Sequence, residues 1–204
     1  VSRSMPRCVA DFPSRVIALS LAAWSLRAAA PKPAELPFAL ALFTDRRRMP
    51  DLAALVGALP GGIPPIAVVF RHDGLPRSER LALAAEVRDA VQARGHLFLM
   101  ARGPLAGSDG CHAHAGAPGI FTAPVHDEDE IVAAVAGGAD AVFLSPLHAT
   151  ASHPGRTPLT RRRAVALAEA TPVPVLALGG MTAARARALE GTHFQGFGAI
   201  GAFL

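Results

Sequence analysis

The chain has 204 residues, 51% of them hydrophobic and 18% charged, which suits a soluble globular protein able to bury one sizeable core. Its isoelectric point near 10.3 invites a nucleic-acid reading, but the formal charge is only +4 and the arginines are scattered through periodic segments, so no nucleic-acid partner is expected. Lys32 is the only lysine and there is no asparagine, which excludes a Schiff-base lysine, a lysine phosphate clamp within the barrel proposed below and an Asn ligand.

At the N-terminus, Arg3, Arg7 and Arg15 precede the apolar run Val16 to Leu26 and the small residues Ala28 to Ala30, an arrangement that imitates a secretory signal. The better reading is an amphipathic packing helix over Ser14 to Ala30. Val16, Leu19, Ala23, Leu26 and Ala30 recur at helical spacing, with Ser14 as N-cap and Arg15, Ser20 and Arg27 on other faces. The run is too short to span a bilayer, and no membrane partner is expected. Cys8 and Cys111 are too few and too far apart for a disulfide scaffold or a zinc motif, so the expected compartment is the cytoplasm.

Pro31 to Pro37 forms a break, and the chain divides there into an N-terminal arm with its packing helix (1–37) and a barrel domain (38–204). Beyond the break, β-like runs alternate with helical patterns. Strands are predicted at Phe38 to Asp45, Ile66 to His72, His96 to Ala101, Gly110 to His114, Gly119 to Pro124, Ala141 to Ser145, Pro174 to Leu178 and Gly196 to Gly201. Helices are predicted at Asp51 to Leu59, Ser78 to Arg94, Asp127 to Ala136, Thr160 to Ala170 and Thr182 to Glu190, with Ser78, Asp127, Thr160 and Thr182 as N-caps. The connections Arg102 to Asp109 and Ala115 to Pro118 are too short for crossover helices. The series reads as a TIM-type (β/α)8 barrel, with a doubly wound open sheet as the alternative. No helix follows the eighth strand, so the N-terminal helix is expected to cover that strand's outer face. Homo-oligomer formation is left open.

In such barrels the chemistry sits at the C-terminal strand ends, with phosphate often held after strands seven and eight. Strand seven leads into Gly179-Gly180 and a helix start at Thr182, and strand eight ends in Gly198 to Ala202. Glycines there let backbone N–H groups approach an anion, and the helix start adds positive potential. A small phosphorylated substrate is the expected ligand, bound through Gly179, Gly180, Gly201 and Ala202. The runs Arg46 to Arg48 and Arg161 to Arg163 read as helix starts and mouth-lining charges. Asp45 either orients a substrate amine or caps its loop.

The segments Gly138 to Ala141, Ser145-Pro146-Leu147-His148-Ala149-Thr150, Pro174 to Gly180 and Gly196 to Ala202 together resemble the thiamine phosphate synthase and TenI superfamily. Phe43 to Arg46, Gly110-Cys111-His112 and His126 extend the likeness across residues 38–204. The resemblance implies a barrel of thiamine biosynthesis, a transferase joining hydroxymethylpyrimidine pyrophosphate to thiazole phosphate with release of pyrophosphate. In the TenI branch it implies a tautomerase acting on the thiazole. Thr150, Ser152 and His153 stand where the family has a Thr-x-Thr-Lys-like loop, so they join the phosphate-binding set.

The same resemblance exposes departures. Of the family's strand-two Gln-x-Arg-x-Lys set only Arg71 remains, the Asn-Asp pair after strand three is replaced by Ala101-Arg102, and Ala115-Gly116-Ala117 supplies no acidic ligand after strand four. Mg2+, which the family implies, would lack its usual carboxylates. Arg71, Arg102, His153 and Arg156 are the cations left to steady a pyrophosphate. Among histidines near strand ends, His72, His112, His126 and His148, the resemblance directs attention to His148, two residues beyond the family's catalytic position at Pro146, and to His126. The catalytic candidates are therefore His148, His126 and Arg71. His112 and His114 share the i,i+2 spacing of a strand-borne metal pair, but no carboxylate motif accompanies them and no metal site is assigned. A catalytically silent binder of a phosphorylated ligand is the reading of a different class.

Overall fold

The computed structural model describes residues 11–150 and 155–204. Among them eight parallel strands close into a barrel in chain order: β1 (Leu40–Phe43), β2 (Ala67–Phe70), β3 (Leu97–Ala101), β4 (Gly110–His112), β5 (Ile120–Val125), β6 (Ala141–Leu144), β7 (Val175–Ala177) and β8 (Phe194–Ala199). All eight expected strands are present. The open-sheet alternative falls because β8 pairs with β1, Leu40 opposite Phe197 and Leu42 opposite Ala199. The last strand starts earlier than its glycines suggest, since Phe194 is fully buried, and Gly201–Phe203 winds into a 3-10 turn instead of continuing the strand.

The helices are α1 (Phe12–Ala28), α2 (Leu52–Gly57), α3 (Arg77–Gln92), α4 (Glu128–Ala136), α5 (Arg161–Ala170) and α6 (Ala183–Arg187). Side chains of Asp127, Thr160 and Thr182 accept the backbone N–H three residues on, as their positions predict. Ser78 does not cap α3. Pro76 precedes the helix in an extended conformation and its carbonyl accepts from Arg80 N at 2.8 Å, so the helix starts before Ser78. No helix fills the β3–β4 or β4–β5 connection.

Alternation along the strands sorts the core into two shells. Ala41 and Phe43, Ala67 and Val69, Leu99 and Ala101, Ala141 and Phe143, and Leu176 pack inside the barrel. Their neighbours Leu40, Leu42, Val68, Phe70, Phe98, Val142 and Leu144 face the helices. A Cβ at Gly198 would lie 2.6 Å from a Phe43 ring carbon and 3.1 Å from one of Phe143, and a Cβ at Gly196 would lie 1.9 Å from the Ala39 carbonyl oxygen. Strand eight therefore fits beside strand one only without side chains at these two places.

Helix α1 packs against β8, β1 and α6, covering the outer face that the sequence pattern leaves to it. Phe12, Val16, Leu19, Ala23 and Leu26 are buried there, each large one contributing about 1.5–3 kcal/mol. The helix begins before Ser14, with Asp11 at the N-cap position and Pro13 in the first turn, where a proline loses no hydrogen bond. Ser20 and Arg27, expected on other faces, are both buried. The Arg27 guanidinium donates from Nε to the Gln195 carbonyl at 2.9 Å, from Nη1 to the Leu36 carbonyl at 2.6 Å and from Nη2 to the Phe38 carbonyl. It also lies 4.7 Å from the Trp24 ring centre. Burial lowers its pKa from 12.5 to about 10, which still leaves it protonated at neutral pH.

One cation thus ties α1 to the segment before β1 and to β8. Arg27→Met should lower stability by about 3 kcal/mol, because three carbonyls lose their donor. Urea denaturation should show a lower midpoint at unchanged slope. Arg163→Ala, which breaks only an exposed pair with Glu128, should move stability by less than about 1 kcal/mol; equal losses for the two variants would contradict the anchoring role.

Candidate functional site

The interior parity of each strand continues past its C-terminal end and decides what reaches the mouth. Phe43, Arg71, Ala101, His112, Pro124, His126, Ser145, Leu178 and Ile200 follow the inward-facing positions of their strands and line one cavity of about 490 Å³. The glycines after β7 and the residues after β8 line it too, namely Gly179, Gly180, Gly201 and Ala202, together with Thr150 and Thr182. The phosphate candidates are therefore gathered on one side. Ser152 and His153 lie outside the described residues. A second cavity of about 430 Å³ opens at the opposite barrel end, where Asp109 and Asp140 accept backbone N–H groups of Phe98 and Phe121. Carboxylates so engaged at the N-terminal face serve stability.

On the β7–β8 side, Gly180 adopts a left-handed φ of +62°, and a Cβ there would lie 2.9 Å from the Ala149 carbonyl oxygen. Arg185 donates to the Gly180 carbonyl, and the Thr182 hydroxyl holds the N–H of Arg185 at the start of α6. The guanidinium of Arg48 sits close enough to Gly201 that a Cβ there would meet its Nη2 at 2.9 Å. Arg48 belongs to a run that the sequence assigns to helix starts and mouth-lining charges, and it does line the mouth, though nothing singled it out within the run. Its signal was its place just past the inward-facing end of β1.

The opposite side is cationic. Arg71 donates from Nε to the Thr44 carbonyl at 3.1 Å, and its backbone N–H is received by the Thr44 hydroxyl at 3.0 Å. Its guanidinium lies 5.6 Å from the Phe43 ring centre and 3.8 Å from the Asp45 carboxylate. Asp45 also accepts the backbone N–H groups of Arg47 and Arg48, so of its two expected uses the structure displays the loop cap. Asp73 lies 3.3 Å from Arg80 and 3.6 Å from Arg102. Arg102 is held at a φ of +57°, a conformation that costs a non-glycine residue about 1 kcal/mol. Burial lowers the pKa of Arg71, and the neighbouring Arg102 adds to that effect against Asp45 and Asp73.

Histidine positions separate by geometry. His112 is buried at the floor of the mouth, with Nδ1 3.0 Å from the Thr122 hydroxyl and its ring edge-on to Phe43 and Phe143. His72 lies against the Thr44 hydroxyl at 3.0 Å, stacks on Phe70 and does not line the cavity. His126 lines the mouth and holds Glu130, with Nδ1 2.7 Å from Oε2. His148 follows the end of β6 by four residues, where strand parity no longer governs direction. It does not line the cavity, and burial together with Arg185 lowers its pKa. Ala113, at a φ of +58°, breaks the alternation between His112 and the exposed His114.

Magnesium requires hard oxygen donors, usually carboxylates. Among the described residues lining the mouth none carries a carboxylate, and Asp45 and Asp73 are engaged behind it by N–H groups and arginines. Among the described residues no group of three or more His, Cys, Asp or Glu stands ready to hold a metal ion. This donor set does not fit a divalent cation. No helix among the described residues is long and apolar enough to cross a membrane.

Burial pushes the His112 pKa down from 6.5 to about 3, with Arg71 and Arg102 adding to the effect. Between those values the folded protein binds fewer protons than the unfolded chain. The stability that depends on neutral His112 is therefore complete above pH 6.5 and is lost as pH falls toward 3. The slope from this group approaches about 1.4 kcal/mol per pH unit. NMR should find the His112 ring unprotonated from neutral pH down to about pH 4, and His112→Gln should flatten the acid limb of the stability profile. A ring titrating near its ordinary value would overturn the assignment.

A family model described as thiamine monophosphate synthase matches residues 109–203, from the edge of β4 through the final turn. No curated protein matches the chain. Among solved structures, thiamine phosphate pyrophosphorylase from Pyrococcus furiosus aligns with a TM-score of 0.64 at 21% identity, covering 79% of this chain and 85% of that one. That likeness concerns the fold. YdjI aldolase from Escherichia coli K12 aligns more loosely, with a TM-score of 0.49, 11% identity and coverage of 78% of this chain and 73% of that one. Nitroalkane oxidase from Streptomyces ansochromogenes reaches a TM-score of 0.32 at 19% identity, covering 100% of this chain and 49% of that one. The family match takes in the glycine turns after β7 and β8, so the C-terminal part of the chain is similar to the thiamine monophosphate synthase family, and the closed barrel around it shares the fold of a thiamine phosphate pyrophosphorylase.

Proposed function

We propose that this barrel serves thiamine biosynthesis by joining a pyrimidine pyrophosphate to a thiazole phosphate, with release of pyrophosphate. The observation that carries the reading is the two-sided mouth. Glycine turns and a helix start at Gly180, Thr182 and Gly201 face the same cavity as Arg71 and Arg102. The first side suits a phosphate monoester, because backbone can approach it without intervening side chains. Positive charge on the second side suits the negative charge that builds on a departing pyrophosphate. Phe43, Pro124, Leu178 and Ile200 supply apolar surface between them, where two flat heterocycles would meet.

Two observations favour other readings. The absence of lining carboxylates supports a silent binder of a phosphorylated ligand. The His126–Glu130 contact at the rim supports proton transfer on the thiazole, since a carboxylate orients and sustains an imidazole base.

One assay series separates the three. Purified protein supplied with both precursors, with and without Mg2+, should form thiamine phosphate, and Arg71→Met should reduce kcat/KM by roughly tenfold or more, the loss of one charge-assisted contact. Thiazole phosphate binding without product would leave the binder reading. Conversion of the thiazole tautomer alone, lost in His126→Phe, would select the isomerase. Gly180→Val should abolish thiazole phosphate binding in every case, since the added carbons would collide with the Ala149 carbonyl.

A further inference from the structure

The lining charges of the mouth all have one sign. Arg48, Arg71, Arg102 and Arg156 contribute guanidiniums, and no Asp or Glu reaches the same surface. The residues between Thr150 and Gly155 read Ala-Ser-His-Pro, so the sequence there adds no carboxylate either. A divalent cation entering this space would meet repulsion from every lining charge and find none of the anionic oxygens it needs.

Arg71 and Arg102 follow adjacent strands and sense one another, and both act on the neutral ring of His112 at the end of the next strand, β4. Their carboxylate partners do not neutralise them at close range. Asp45 stands 3.8 Å from Arg71 while its other oxygen caps a loop, and Asp73 stands 3.6 Å from Arg102 while also serving Arg80. Neither separation is a hydrogen bond, so both guanidiniums keep donors for a ligand. Arg71 is held by its Nε and backbone bonds to Thr44, which leaves its terminal nitrogens uncommitted to backbone. Arg102 is three-quarters exposed on a left-handed residue at the rim. Two planar forks beside a cavity make a site for paired phosphate oxygens, the geometry guanidinium satisfies bidentately.

We infer that the Arg71–Arg102 side of the mouth binds a pyrophosphate group directly, with guanidiniums in place of a divalent cation, so that Mg2+ competes for the ligand instead of bridging it. The inference rests on the mouth being the substrate site, and it reverses the metal dependence that the superfamily resemblance implies.

Isothermal titration with inorganic pyrophosphate decides it. Binding should be measurable in EDTA, and excess Mg2+ should leave the affinity unchanged or weaken it. Arg102→Gly suits the left-handed backbone and should weaken binding roughly tenfold, as should Arg71→Met. Circular dichroism checks folding, and if Arg71→Met does not fold, Arg102→Gly decides alone. Binding that appears or tightens with Mg2+, no binding in either condition, or unchanged affinity in Arg102→Gly would overturn the inference. Thiamine phosphate formed only with Mg2+ would refute it while leaving the synthase reading intact. Pyrophosphate bound in EDTA without product formation would do the reverse.

Discussion

The site exists because β8 can lie flush against β1. Side chains at Gly196 and Gly198 would strike the Ala39 carbonyl and the Phe43 and Phe143 rings, so the closing pair tolerates nothing larger than hydrogen there. Arg27 holds the same seam from outside through carbonyls on both flanks. Closure brings Arg48, which follows β1, beside Gly201, which follows β8. In an open sheet the two would stand at opposite edges, and the β7–β8 side of the mouth would lose its wall.

Inside that ring, chemistry is distributed by inward parity and loop shape. Thr44 links the two fates of the β2 end: its hydroxyl receives Arg71 N–H and contacts His72, while its carbonyl fixes the Arg71 side chain. One residue is thereby kept at the mouth and the next is kept in the packing. His112 shows how a polar group can persist in an apolar floor. The Thr122 hydroxyl satisfies one ring nitrogen, and two aromatic edges frame the rest.

Much of this was legible from the chain. Alternating runs located all eight strands, short polar residues before helices located three caps, and the glycine turns after strands seven and eight do line the mouth. Side-chain burial that depends on distant carbonyls was not legible. Arg27 reads as an exposed residue on helical spacing because Leu36, Phe38 and Gln195, which satisfy it, are joined only by the fold. Arg48 was hidden in a basic run for the same reason, since its neighbour Gly201 lies on the far side of the seam. His148, singled out for standing two residues beyond Pro146, lies past the end of β6 at Leu144, so strand alternation does not carry it into the mouth. Local composition can state a preference for a surface, but it cannot count the acceptors waiting there.

The chain's only lysine, Lys32, lies away from the mouth, and this has a consequence for selectivity. Guanidinium keeps its proton far into alkaline conditions, and the buried His112 stays neutral well below pH 6.5. The floor at His112 therefore keeps one charge state throughout the physiological range. Phosphate monoesters, by contrast, lose their second proton near pH 6. If the mouth captures a phosphate as proposed above, the acidity dependence of that capture is written mainly in the ligand's own charge.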